Sequence, residues 1–109
     1  MPKKSVGCAV ETAIEILGGR WKVLILQELF GGVRRFSELH RALAGVSHRT
    51  LTQQLRELEG HGVIHRKIYR QVPPKVECSL TPLGETLRPV IGVMHDWAED
   101  YTRARLKKR

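Results

Sequence analysis

The hydrophobic positions of this chain form four short helical segments, then two alternating runs, then one long stripe. VETAIEILGG, residues 10–19, sets Val10, Ala13, Ile14 and Leu17 on one helical face and stops at two glycines, which accept helix-ending geometry. RWKVLILQELF, residues 20–30, repeats the pattern with Trp21, Leu24, Ile25 and Leu29 at core spacing, and Gly31 and Gly32 as the stop. FSELHRAL places Phe36, Leu39 and Leu43 inward. After the turn AGV, Ser47 is a good N-cap for a fourth helix striped by Leu51, Leu55 and Leu58. That helix is expected to end between Gly60 and Gly62. Two helices joined by a short glycine-containing turn make a helix-turn-helix.

Past Gly62 the period changes from helical to two-residue alternation. VIHRKIYR puts Ile64, Arg66 and Ile68 on one side and His65, Lys67 and Tyr69 on the other, while KVECSL puts Val76, Cys78 and Leu80 on one face. Between them, QVPP cannot continue a paired strand, because proline lacks the amide donor. The prediction is a β-hairpin with a basic, proline-stiffened tip, a wing. Thr81 then caps a last helix with Pro82 at its first position, and Leu83, Leu87, Val90, Met94, Trp97 and Tyr101 follow on one stripe. Pro89 should kink this helix by depriving the Glu85 carbonyl of its partner. The expected fold is mainly α with a small β-hairpin, a winged helix-turn-helix with terminal dimerisation helices. With no repeat, linker or low-complexity segment, residues 1–109 read as a single domain, its core at about 8–101 and a basic tail at 102–109.

Charge adds a partner to this picture. The formal net charge is +8, and residues 41–75 contribute +5 of it, with Arg41, Arg49, Arg56, Arg66, Lys67, Arg70 and Lys75 against Glu57 and Glu59. A basic cluster inside a folded segment points to a polyanion, most simply nucleic acid. On the fourth helix, the face opposite the leucines carries Arg49, Gln53, Arg56 and Gly60, with Glu57 and Glu59 on its flanks. Arg and Gln make paired hydrogen bonds to base edges, and a helix fits the major groove of B-DNA. The candidate DNA contacts are therefore Ser47, His48, Arg49, Thr52, Gln53 and Arg56 on the helix, with His48 directed to phosphate. Lys67, Arg70 and Lys75 on the wing suit phosphate or the minor groove. The terminal stripes exceed what so small a domain can bury, so Val10, Ile14, Leu17, Val90, Met94, Trp97 and Tyr101 are expected to form a two-fold dimer interface.

Other chemistries find little support. His61 and His65 are four apart across a helix end, and His40, His48 and His95 are scattered, so neither metal nor cofactor is expected. The chain has no glycine-rich phosphate loop, no H-E-x-x-H and no serine elbow, which argues against an enzyme. No apolar run approaches the roughly 18 residues needed to cross a bilayer, and Glu11 and Glu15 spoil the N-terminal stretch as a signal-peptide core, so a cytoplasmic protein is expected. Cys8 and Cys78 form no C-x-x-C pair and read as free thiols, Cys78 on the core side of its strand. Cys8, close to the N-cap of the first helix and to Lys3 and Lys4, sits where a thiolate is stabilised.

The motifs GGRWKVLIL, RRFSELHRAL, LTQQLRELEGHGVI and VPPKVECSLTPLGETLRPV, with the later Trp97, resemble the HxlR family of small prokaryotic transcriptional regulators, relatives of the MarR group. The likeness runs over roughly residues 8–101. It implies a homodimer built from terminal helices, with the fourth helix in the major groove and the wing beside it; the expected regulator acts on double-stranded DNA at a pseudo-palindromic operator, as a repressor, with activation as the alternative. Some members of the family sense electrophiles or oxidants through a cysteine just before the first helix. That makes Cys8 a candidate redox sensor, with an inert thiol as the alternative; Ala9 here replaces the proline of many relatives. An oxidant or a small molecule held between protomers is thus a candidate effector. A winged-helix module for protein–protein contact remains the other class of reading.

Overall fold

A computed structural model describes residues 9–107. The elements are α1 (Ala9–Leu17), α2 (Lys22–Phe30), β1 (Arg34–Arg35), α3 (Phe36–Ala42), α4 (His48–Gly60), β2 (Ile64–Tyr69), β3 (Lys75–Leu80), α5 (Pro82–Glu85) and α6 (Leu87–Lys107). The three strands form an antiparallel sheet in the order β1-β3-β2. Within it Arg66 pairs with Cys78 and Tyr69 with Lys75 in the hairpin, while Arg34 pairs with Cys78 from the other edge.

The helix-turn-helix is built from local chemistry. The Arg35 amide donates to the Glu38 carboxylate (2.8 Å), which starts α3. Leu43 and Val46 bury themselves at the turn, Gly45 takes a positive φ of 93°, and His40 Nε2 donates to the Val46 carbonyl (3.0 Å). Ser47 Oγ then accepts from the Thr50 amide (3.0 Å), the expected cap of α4. The far end of α4 closes by two bonds, Val63 amide to Leu58 carbonyl (3.2 Å) and Gly62 amide to Glu59 carbonyl (2.9 Å), with Gly62 at φ 79°. Both flanking side chains, Leu58 and Val63, are buried, so the stop also directs the chain into β2.

The core joins α2, α3, α4, the sheet and one turn of α6. Ile25, Leu26, Leu39, Leu51, Leu55, Leu58 and Cys78 are completely buried, and Ile91 seats α6. The motif TPLG fastens the wing to this core. Thr81 Oγ1 donates to the Gly62 carbonyl (2.6 Å) and accepts from the Gly84 amide (3.0 Å), while the Thr81 amide donates to the Val63 carbonyl (3.1 Å). Gly84 is buried against the Val63 carbonyl, where a β-carbon has no room.

Several expectations are corrected. Leu17, expected at a dimer interface, is buried in the protomer's own core, because α1 lays its last turn on the domain. On α2 it is Leu26 that is buried, whereas Leu24 is exposed; Ile25 and Leu29 keep their expected places, so the buried arc is rotated by roughly a fifth of a turn. Ile68, near the hairpin tip, is exposed, since the twisted ribbon has left the core by then. The last helix is broken rather than kinked: α5 ends at Glu85 and α6 begins at Leu87, because Pro89 offers no amide to the Glu85 carbonyl. Beyond Ile91, α6 is exposed throughout its described length. The Cα radius of gyration, 16.1 Å, accordingly exceeds the about 13 Å of a compact domain of this length.

Candidate nucleic-acid interface

The leucine stripe of α4 fixes what its other face presents. With Leu51, Leu55 and Leu58 turned fully inward, Arg49, Gln53, Arg56 and Gly60 are exposed on the outside. Arg49 and Arg56 have no hydrogen-bond or ion-pair partner among the described residues. Glu59, by contrast, is drawn aside by Arg66 (2.9 Å), which removes one acidic flank and consumes the inward cation of β2.

The start of α4 is more constrained. Ser47 Oγ is occupied as an acceptor by its cap, although its O–H remains a donor. The His48 ring packs against Phe36, with centroids 4.6 Å apart, and Thr52 Oγ1 donates to the His48 carbonyl (2.9 Å). Phe36, His48 and Thr52 border, with the wing, an open cleft of about 470 Å³ whose lining also includes Arg35, Gln71 and Lys75. Arg35 and Gln71 were not marked by the sequence pattern. The doublet Arg34-Arg35 was visible as charge, but its placement depends on β1 pairing with β3.

On the wing, two lysines share one tyrosine ring, one of them also reaches a glutamate, and an arginine stands apart. Lys75 Nζ lies 4.1 Å from the centre of the Tyr69 ring and 3.8 Å from Glu77, and Tyr69 Oη donates to Glu77 (2.9 Å). Lys67 lies over the same ring at 5.0 Å. Arg70, at the end of β2, is exposed and has no partner among the described residues.

Nothing in the local pattern marked Lys22, yet it is the one buried charged residue of the described chain. Its Nζ meets Glu57 Oε1 at 2.6 Å, and Glu57 Oε2 accepts from Gln53 Nε2 (2.7 Å). The Lys22 ammonium, then the Gln53 amide, holds the Glu57 carboxyl below the usual carboxylate range.

The remaining predicted residues lie elsewhere. Val10 and Ile14 on α1, and Val90, Met94, Trp97 and Tyr101 on α6, are all exposed, joined by Val93 and Leu106, which the stripe had omitted. Trp97 and Tyr101 stack in parallel with centroids 5.2 Å apart. Cys8 lies outside the described residues. Cys78 is buried, and loss of hydration pushes its thiol up to about 11 despite the Arg66 charge nearby. Among the described residues no cluster of metal-ligating side chains occurs, and no helix is long and apolar enough to cross a membrane. A small apolar hollow of about 110 Å³, lined by Ala13, Ile16, Leu17, Val63, Leu83 and Leu87, lies under α1.

A helix-turn-helix with a bare Arg/Gln face, flanked by a basic wing and followed by a long apolar-striped helix, defines a transcriptional regulator of the winged-helix class. The chain belongs to the HxlR-like helix-turn-helix family, whose profile matches residues 16–106. It is 55% identical over 95 residues to the HTH-type transcriptional regulator YdeP of Bacillus subtilis strain 168, covering 87% of this chain and 74% of that protein. Among solved structures it superposes on the redox regulator HypR in its reduced form with a TM-score of 0.85 at 42% identity, over 94% of this chain and 100% of HypR. The reduced form of the transcriptional regulator YodB from B. subtilis gives a TM-score of 0.75 at 34% identity, over 86% and 93% of the two chains. All three proteins are named as regulators.

Proposed function

We propose that this regulator binds double-stranded DNA as a homodimer and represses transcription from a pseudo-palindromic operator. The observation that carries this reading is the outer face of α4, where Arg49 and Arg56 stand exposed beside Gln53, without a partner among the described residues. In the proposed complex that face enters the major groove. Ser47, His48 and Thr52 meet the adjoining backbone at the N-terminal end of the helix, where the helix dipole also favours phosphate. Lys67, Arg70 and Lys75 contact phosphate or minor groove from the wing. The exposed stripe of α6, with Val10 and Ile14 of α1, joins two copies so that two α4 helices address half-sites about one helical turn apart.

The test is fluorescence anisotropy with a duplex from beside the gene and a scrambled duplex, at two salt concentrations. Preference for the native duplex that survives the higher salt supports the reading. No binding at either salt sinks it in favour of a protein-contact module, and equal, steeply salt-sensitive binding sinks the sequence-specific part.

A second reading adds an input. HypR is a redox regulator, and YodB has also been solved after diamide treatment. The buried, weakly acidic Cys78 is a poor nucleophile, so oxidant sensitivity in this chain would be assigned to Cys8. Diamide should then change DNA affinity in the parent and in Cys78→Ser, and leave Cys8→Ser unaffected. An unchanged response in Cys8→Ser removes this reading while leaving DNA binding intact.

A further inference from the structure

The geometry points to Glu57 as the residue that decides which base Gln53 accepts: by holding one amide N–H, it leaves an outward edge that matches adenine. The inference rests on the reading that the exposed face of α4 lies against base edges.

The chain of causes begins in the core. Lys22 is only 7% exposed, and an ammonium so placed requires a counter-charge. It takes one from Glu57, 35 residues away and on a different helix, at 2.6 Å. A cation fixed on α2 therefore fixes a carboxylate on α4. An ionised carboxylate only accepts hydrogen bonds, so the end of Gln53 that faces it must be the NH2 group, at 2.7 Å from Oε2. An unrestrained glutamine amide can turn over and exchange donor for acceptor; this one is held. What remains available is its carbonyl oxygen and a single N–H. Adenine shows a donor at N6 and an acceptor at N7 in the major groove, whereas guanine shows two acceptors, O6 and N7. The held amide complements adenine and meets guanine with an acceptor facing an acceptor. Glu57 is thus a positioning residue, which acts on DNA through Gln53.

The test separates this inference from the reading beneath it. Binding-site selection from randomised duplexes with the intact chain first defines a motif, and Gln53→Ala identifies the position that Gln53 reads, as the one whose preference relaxes. At that position the parent protein is expected to favour adenine over guanine by about tenfold or more. Glu57→Gln should reverse the choice. Its amide oxygen accepts from Lys22, its NH2 turns toward Gln53, and the Gln53 amide must flip to present two N–H donors outward. Because a buried ammonium beside a neutral amide costs stability, the double variant Lys22→Met/Glu57→Gln is measured in parallel, after thermal melts show it folded. There adenine and guanine should come within about twofold of each other, since nothing now fixes the amide.

Folded variants that keep the parent's adenine preference overturn the inference, as does a parent motif with guanine at the Gln53 position. A parent that selects no motif, or a Gln53→Ala variant with every preference unchanged, defeats the base-reading role itself, a different and earlier failure.

Discussion

Helices α4 and α6 carry apolar stripes of comparable regularity, yet they end in opposite conditions. In α4 the stripe is consumed: Leu51, Leu55 and Leu58 are fully buried within the protomer. In α6 only Ile91 is buried, while Val90, Val93, Met94, Trp97 and Tyr101 remain exposed. A finished stripe leaves its helix with a polar outer face available for a charged partner. An unfinished one leaves apolar area whose removal from water is still to be gained, at about 25 cal/mol per Å². In the proposed complex, one helix therefore offers a surface to DNA, and the other to a second copy of the chain. Isologous contact suits this, because a two-fold axis brings the same apolar patch against itself and orients two α4 helices together.

The largest effect expected from breaking the contrast is on folding. Leu55→Ala empties space in a close-packed core and should cost about 2–5 kcal/mol, measured by urea denaturation at fixed protein concentration. A loss under about 1 kcal/mol would mean that the α4 stripe is less completely spent than its burial implies. Trp97→Asp should act differently: the protomer stays folded by circular dichroism, but association weakens by about 2–4 kcal/mol, read by sedimentation equilibrium. If the variant sediments as the parent does, α6 is not the interface. Next in size is Arg49→Ala, expected to cost about 1–3 kcal/mol of DNA affinity and to relax preference at one base position. Equal losses on every sequence would make Arg49 a phosphate contact instead.

What could be read from the sequence was whatever neighbours in the chain decide. The Ser47 cap, the Leu51/Leu55/Leu58 stripe, the stop at Gly62 and the Thr81 cap each involve residues within a few positions, and each occurs. What could not be read depends on distant partners. Two-residue β1 exists only because Arg34 and Arg35 pair with Cys78 and Glu77. Leu17 and Leu26 are buried, and Leu24 is not, according to which way α1 and α2 roll against the rest of the domain. On the candidate interface, Arg49 and Arg56 were legible as exposed cations. The Lys22–Glu57–Gln53 chain was not, since a lysine's burial cannot be inferred from its own helix.

The wing allows the smallest effects to be ordered in advance. Phosphate contacts act through release of counterions, so a lost contact shows as a shallower dependence of log affinity on log salt, by about 0.9 per phosphate. Arg70 has no partner to share its charge among the described residues, whereas Lys75 is 3.8 Å from Glu77 and rests on the Tyr69 ring. Arg70→Ala should lower the salt slope by about one and weaken binding uniformly across sequences. Lys75→Ala should change the slope by less, because a cation already accompanied by a carboxylate displaces fewer counterions. Lys75 also rests on its neighbours, so its removal should loosen the hairpin and speed amide exchange in β2 and β3. Titrations at three or more salt concentrations separate the two. If Lys75→Ala gives the larger drop in slope, Glu77 has turned away in the complex and Lys75 has taken the phosphate.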